Sequence, residues 1–225
     1  MGGIESLYPF LYADGEDEAT AEGVVEEVRR STREKVAEIA ALREEVLASH
    51  ADTLVACATA MAEAFAAGGR LFTFGNGGSA TDAQAVAAMF AAPEGPGTGL
   101  PAIALTADVA VLTALSNDVS FDVVFARPLA AAGRRGDIAL GLSTSGNSAN
   151  VVRGLAEARR RGMVTVGLAG YSGGAMAEAG TVDHLFVMPS SSVHRIQEAQ
   201  TTVYQVLGEL TRRALGAASE PATGV

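Results

Sequence analysis

The chain reads as an α/β protein: a three-layer α/β/α sandwich on a five-stranded parallel sheet, preceded by N-terminal helices. Three observations predict it. Five short apolar runs, starting at Arg70, Ala102, Ile138, Val164 and His184, alternate with stretches whose apolar residues recur at helical spacing. Runs of this kind are apolar without alternation, as strands covered on both faces must be. Two turns rich in Gly, Ser and Asn, Gly75–Ser79 and Ser143–Ser148, directly follow the first and third runs.

The elements follow in order. Residues 1–18 hold Gly, Pro9 and the acidic cluster Asp14–Glu18, and read as a loosely ordered arm. N-terminal helices cover about residues 19 to 67. The first, to about His50, has a narrow apolar stripe (Val24, Val28, Val36, Ile39, Leu42, Val46), suited to packing on another helix or a partner chain. The second runs from about Thr53 to Ala67 and stops at Gly68-Gly69. Strand Arg70–Phe74 then turns through Gly75–Ser79 into a helix reaching Phe90. A Pro/Gly loop leads to strand Ala102–Thr106, a short helix near Val109–Leu115 and the turn Ser116-Asn117-Asp118. A helix over about Phe121–Ala132 carries Pro128 and should kink there. Strands Ile138–Leu142, Val164–Leu168 and His184–Met188 follow, and a last helix spans about Val193–Leu215. This places a single domain over residues 19–215 and a disordered tail over 216–225.

Composition narrows the function classes. The chain is 48% hydrophobic and 19% charged, with no Trp, so a well-filled core of small residues is available. Its formal net charge is −10 and its basic residues are scattered, which argues against a nucleic-acid footprint. No apolar run reaches the length of a membrane span, and the first residues lack the charged-then-apolar pattern expected of a signal. Met1–Ser6 fits the bare myristoylation pattern, a short pattern that chance often matches. Cys57 is the single cysteine, so no disulfide forms within the chain, and it reads as a small core residue. A cytoplasmic protein is expected.

The chemistry concentrates on the turns. Ser143-Thr144-Ser145-Gly146-Asn147-Ser148 lies between a strand's carboxyl end and a helix's amino end, where free backbone N–H groups and the helix dipole favour an anion. Its hydroxyls add further donors. A helix cap needs one such residue, not four, so the stretch reads as a phosphate cup. In Gly75-Asn76-Gly77-Gly78-Ser79, glycines let the backbone approach a ligand closely. Ser79 and Asp82 resemble a capping box in position, which makes Asp82 a first-turn residue complementing the dipole. The same stretch fits a loose dinucleotide fingerprint, yet the next strand closes on Leu105-Thr106 without the ribose-binding acid, and Asp108 comes late for it. Ligands in such folds sit beyond the carboxyl ends of the strands, so both turns and Ser116–Asp118 can converge on one site.

Phe74–Ser79, Ser143–Ser148 and Arg195-Ile196-Gln197-Glu198 resemble, in order and spacing, the signatures of phosphoheptose isomerases, members of the sugar isomerase (SIS) domain proteins. The likeness extends through Leu112–Asp118 and Gly167–Gly174, over roughly residues 50–212. It implies a three-layer domain, assembly into a dimer or tetramer, and isomerisation of sedoheptulose 7-phosphate. The family's substrate contacts carry over onto Asn76, Gly77, Gly78, Asn117, Asp118, Ser143, Thr144, Ser145, Ser148 and Gln197, with Ser79 in the same turn. The family also uses a His and a Glu one turn apart on the helix after the glycine turn, and a Gln and a His two turns apart on the last helix, for proton transfer and zinc. Here those positions read Ala85, Met89, Gln197 and Gln205. Of those positions only Gln197 keeps the family's residue, so the zinc site is not retained: no metal or other cofactor is expected, and the catalytic residues stay open.

Substitutes are few. His194 and Glu198, beside Gln197 on the last helix, are the catalytic candidates, against the plainer readings of a helix-start residue and an arginine partner. His50 reads as a helix-end residue and His184 as a strand-start residue. Two readings remain. One is an isomerase whose proton transfer runs through atypical residues. The other is a sugar-phosphate-binding regulatory oligomer without turnover, like the replication initiator-associating protein of this family, which Ala83-Gln84 and Val111–Ala114 resemble. Neither the sugar nor a protein partner is named by the residues.

Overall fold

The structure, a computed structural model, describes residues 21–93 and 98–219. The arm over 1–18 and the last six residues of the tail lie outside the described residues. The chain divides into two units, Met1–Glu38 and Ile39–Val225, and the second holds the sheet.

The expected pair of N-terminal helices is one: α1 runs unbroken through Ala21–Ala66, 46 residues. The joint expected near residues 50–53 holds His-Ala-Asp-Thr, with neither Gly nor Pro to stop a helix. His50 accordingly is not at a helix end. It lies within α1, its Nε2 3.2 Å from the backbone N and O of Val187 and its ring edge-on to Phe186. The stripe divides too: Val24, Val28 and Val36 are exposed, whereas Ile39, Leu42 and Val46 are buried.

The sheet consists of β1 (Leu71–Gly75), β2 (Ala102–Ala104), β3 (Ile138–Ser143), β4 (Val164–Gly170) and β5 (His184–Met188), all parallel, in the order β2-β1-β3-β4-β5. β1 and β3 are buried throughout, as their unbroken apolar runs require. From β1 the chain first builds outward to β2 and then returns to lay β3 on the other side. The order therefore reverses between β1 and β3, the place where such sheets hold ligands.

Two apolar clusters cover the two faces. On one, Met61 and Phe65 of α1, Val86 and Phe90 of α2 (Gly78–Ala91), and Ile196, Val203 and Leu207 of α7 (Val193–Ser219) pack on Leu71, Leu140, Leu168 and Phe186. On the other, Phe125 just before α4 (Ala126–Ala132), Leu129 of α4, and Val151 and Leu155 of α5 (Ala149–Arg160) pack on Phe72, Phe74 and Ala139. Cys57 is fully buried and burial pushes its thiol up to about 12, so it is an inert core residue.

Several boundaries move. α3 (Val109–Asp118) absorbs Ser116-Asn117-Asp118 into its last turn, and Asp108 caps it, accepting from Val111 N at 3.0 Å. The helix expected over 121–132 splits into a 3₁₀ turn, Phe121–Val123, and α4. Pro128, expected in mid-helix, instead sits in the first turn of α4, where a missing N–H costs no helical bond. α7 continues through Gly216 to Ser219, so the tail expected to be disordered begins helical.

One buried ion pair sets where β1 and β3 begin. Asp137 is fully buried; it accepts from Arg70 N at 2.9 Å and from Arg134 N at 3.1 Å, and Arg70 Nη2 lies 2.8 Å from it. Burial alone would raise its pKa. The Arg70 and Arg134 bonds outweigh that and hold the carboxyl below its ordinary value.

Candidate functional site

The cup forms where β3 ends and α5 begins. Ser143 is buried and its hydroxyl is 2.9 Å from that of Ser148; Ser145 Oγ accepts from Asn147 N at 3.2 Å. Thr144, Ser145 and Ser148 are half-buried, within reach of a ligand. Ser148 is the N-cap residue of α5 but makes no side-chain cap bond, so its hydroxyl is not spent on the helix. The cup runs directly into the amino end of α5, where the helix dipole favours an anion.

The bend itself is enforced by neighbours. Gly146 has φ +67°, and a Cβ there would stand 2.0 Å from Gly173 O, so only glycine fits. Its carbonyl accepts from Met176 N at 2.9 Å, while Asn147 Oδ1 accepts from Ala175 N at 2.8 Å. Both donors belong to α6 (Gly174–Glu178). The cup is thus braced by α6 without using its hydroxyls.

Across the switch point stands the glycine turn. Its cap differs from the expected Ser/Asp box: the N-cap of α2 is Gly77, at φ +55°, with no side-chain bond, and Ser79 is buried. Positive φ at this position explains a glycine better than a capping serine would. Asn76 is locked to Asn150 of α5 by reciprocal amide bonds of 2.8 and 2.9 Å. This clasp joins the start of α2 to the start of α5, helices on opposite faces of the sheet.

The start of α7 closes the third side. Gly170, at the end of β4, lies under Ile196 and against Thr144 O, close enough that a Cβ there would be 2.4 and 2.6 Å from them. The next residue, Gln197, lies over Gly78, whose added Cβ would meet its Nε2 at 2.3 Å. Gln197 Nε2 also lies 3.5 Å from Asp82 Oδ2, and Tyr204 hydroxyl lies 3.5 Å from Asp82 Oδ1. Asp82 is therefore not the first-turn, dipole-facing residue expected. It lies one turn further into α2, turned toward α7. Burial raises its pKa, against the donors Gln197 and Tyr204, and burial likewise raises that of Tyr204.

Most of the expected site residues meet: Asn76, Gly77, Gly78 and Gln197 around one rim, Ser143–Ser148 around the other. Asn117 and Asp118 are exposed at the end of α3, the amide of Asn117 donating to Asp118 at 2.7 Å. No bond joins that pair to the cup among the described residues. Of the catalytic candidates, Glu198 is ion-paired with Arg195 and His194 is exposed on the first turn of α7. Asp82, Tyr204 and Asn150 were missed. Tyr204 had a signal, since seven residues from Gln197 on a helix is the same face; Asn150, 74 residues from Asn76, had none.

Ala85, Met89, Gln197 and Gln205 present a methyl group, a thioether and two amides. Zinc takes thiolate, imidazole and carboxylate, so this set does not suit it. Met89 packs instead on α7, where a Cβ on Gly208 would be 2.7 Å from its methyl.

The sequence pattern of the SIS domain matches residues 36–170. Phosphoheptose isomerase of Roseiflexus sp. (strain RS-1) is 44% identical over 175 residues, 77% of this chain and 88% of that protein. The phosphoheptose isomerase of Nitratidesulfovibrio vulgaris is 44% identical over 191 residues, 84% and 90% of the two chains. Among solved structures, the phosphoheptose isomerase of Neisseria gonorrhoeae superposes with a TM-score of 0.76 at 34% identity, covering 83% of this chain and 99% of that one. That of Francisella tularensis gives 0.75 at 30% identity, with coverage of 82% and 97%.

Proposed function

Because the chain belongs to the SIS domain family, among its phosphoheptose isomerases, we propose that it binds a heptose phosphate and interconverts its ketose and aldose forms without zinc. The observation that carries this reading is the braced cup at the switch point: Ser145 Oγ only accepts within it and Ser143 and Ser148 share one bond, so O–H donors remain for a ligand. The phosphate sits on Ser143–Ser148 and the first turn of α5. The carbonyl end then points toward Gly77, Gly78 and Gln197. The donor set at Ala85, Met89, Gln197 and Gln205 is the reason zinc is left out, and no step runs through a metal.

Assembly into a dimer or tetramer belongs to the same reading, supported by the exposed valines 24, 25, 28 and 36 on α1. So does a cytoplasmic setting, to which a single buried thiol is suited. Among the described residues no helix is long and apolar enough to cross a membrane.

Sedoheptulose 7-phosphate at 100-fold excess over Kd should add about 2.7 kcal/mol of stability, read as a raised melting temperature. Ser145→Ala should shift less at the same concentration. No shift in either protein, with this sugar or with other sugar phosphates, removes the reading. A chain that binds the sugar and exchanges no carbon-bound hydrogen in deuterated water is a regulatory binder instead.

A further inference from the structure

We infer that Asp82 is the base that carries the proton between the two carbons at the carbonyl end of the sugar, with Gln197 holding the oxygen between them and the enzyme. This rests on the sugar-phosphate reading of the site and names its catalytic group.

Aldose–ketose interconversion needs a group that accepts a proton beside a carbonyl and returns it to the neighbouring carbon, with a donor on the oxygen. Where α2 meets α7, Gln197 and Tyr204 reach Asp82 by two 3.5 Å contacts, one to each carboxyl oxygen. Gln197 Nε2 lies at once against Gly78, in the rim of the site, and against Asp82. One of its two N–H bonds can face Asp82 while the other faces a sugar oxygen. Asp82 is half-buried, so one side of it remains accessible. The other acid near this rim, Glu198, is committed to Arg195, and His194 is exposed on the first turn of α7.

The step balances without a co-reactant. The C–H bond of the hydroxyl-bearing carbon breaks toward Asp82, its electron pair becomes the C=C bond, and the carbonyl π pair moves onto oxygen. Gln197 N–H stabilises that enediolate oxygen. Protonated Asp82 then delivers the proton to the former carbonyl carbon, taking up the C=C pair. The hydroxyl proton passes from one oxygen to the other, and the carbonyl re-forms one carbon along.

The test uses the full chain with sedoheptulose 7-phosphate in deuterated water, following deuterium on carbon by NMR. Wild type should exchange. Asp82→Asn should exchange at least about 100-fold more slowly, the scale of a lost general base, while the sugar still raises its melting temperature. Wild-type exchange should climb with pH as Asp82 ionises, and Asp82→Asn should lack that limb. Tyr204→Phe removes a donor to the ionised carboxylate, so the limb should move to higher pH with exchange retained. Should Asp82→Asn not fold, that displacement stands as the test. Asp82→Asn exchanging like wild type overturns the inference while leaving sugar binding intact; an unmoved limb in Tyr204→Phe also overturns it. Wild type that fails to bind the sugar removes the underlying reading, and this inference with it.

Discussion

At the scale of single residues, the contact between Gln197 and Gly78 decides how the site is shaped. The atoms that a Cβ on Gly78 would strike all belong to the end of the Gln197 side chain, and Gly78 does not have a positive φ. Gly78→Ala should therefore fold with a stability change within about 1 kcal/mol, as Gln197 swings aside. Its exchange of sugar hydrogen should nonetheless fall well below that of wild type, because the displaced amide leaves both the sugar oxygen and Asp82. Unfolding in urea and exchange in deuterated water check the two halves; a destabilised or fully active variant contradicts the assignment. The glycines and serines of both turns were legible in the sequence because their chemistry is local. The direction of Asp82 was not, since it depends on which face of α2 meets α7. Nor was the helical setting of Asn117 and Asp118, which follows from α3 running to their positions.

At the scale of elements, the strands were legible because burial on both faces demands unbroken apolar runs. Helix ends were less so. The break between the 3₁₀ turn and α4 falls at Val124-Phe125, two buried apolar residues that carry no stop signal. In α1 the sequence offered an apolar stripe and the structure separates its use, with Ile39, Leu42 and Val46 in the core and Val24, Val28 and Val36 in solvent. A solvated helical stretch of about 18 residues is marginal in water by itself. If residues 21–38 pack against a second copy, helicity by circular dichroism should fall on dilution, in step with a drop in mass by light scattering. Constant helicity with a monomeric mass at every concentration rules the assembly out.

At the scale of the molecule, the topology makes the site: the reversal between β1 and β3 opens the space, and the Asn76–Asn150 clasp and α6 fix its walls. The strand order itself was beyond the sequence, because nothing local says on which side of β1 the third strand is laid. Stability is tied to the same two strands through Asp137. Its carboxyl is held below its unfolded value, so its contribution is full above the unfolded pKa of about 3.9 and is lost as pH falls through the folded one. Asp137→Asn should cost about 3 kcal/mol at pH 7, where Arg70 loses its partner. The gap to wild type should narrow as pH falls below about 4, because protonation then favours the unfolded wild-type chain, and it closes once the folded carboxyl is protonated as well. Urea unfolding at pH 7 and pH 3 reads both; an equal gap at the two values contradicts the pairing.

The cup has one property that only matters in an assay. Every side chain from Ser143 to Ser148 is neutral, so nothing in it titrates between acid and alkaline pH. A plot of affinity against pH then belongs to the ligand, following the second ionisation of its phosphate near about pH 6. A plot of turnover belongs to the protein. The two curves can be separated by experiment, and each names its own group.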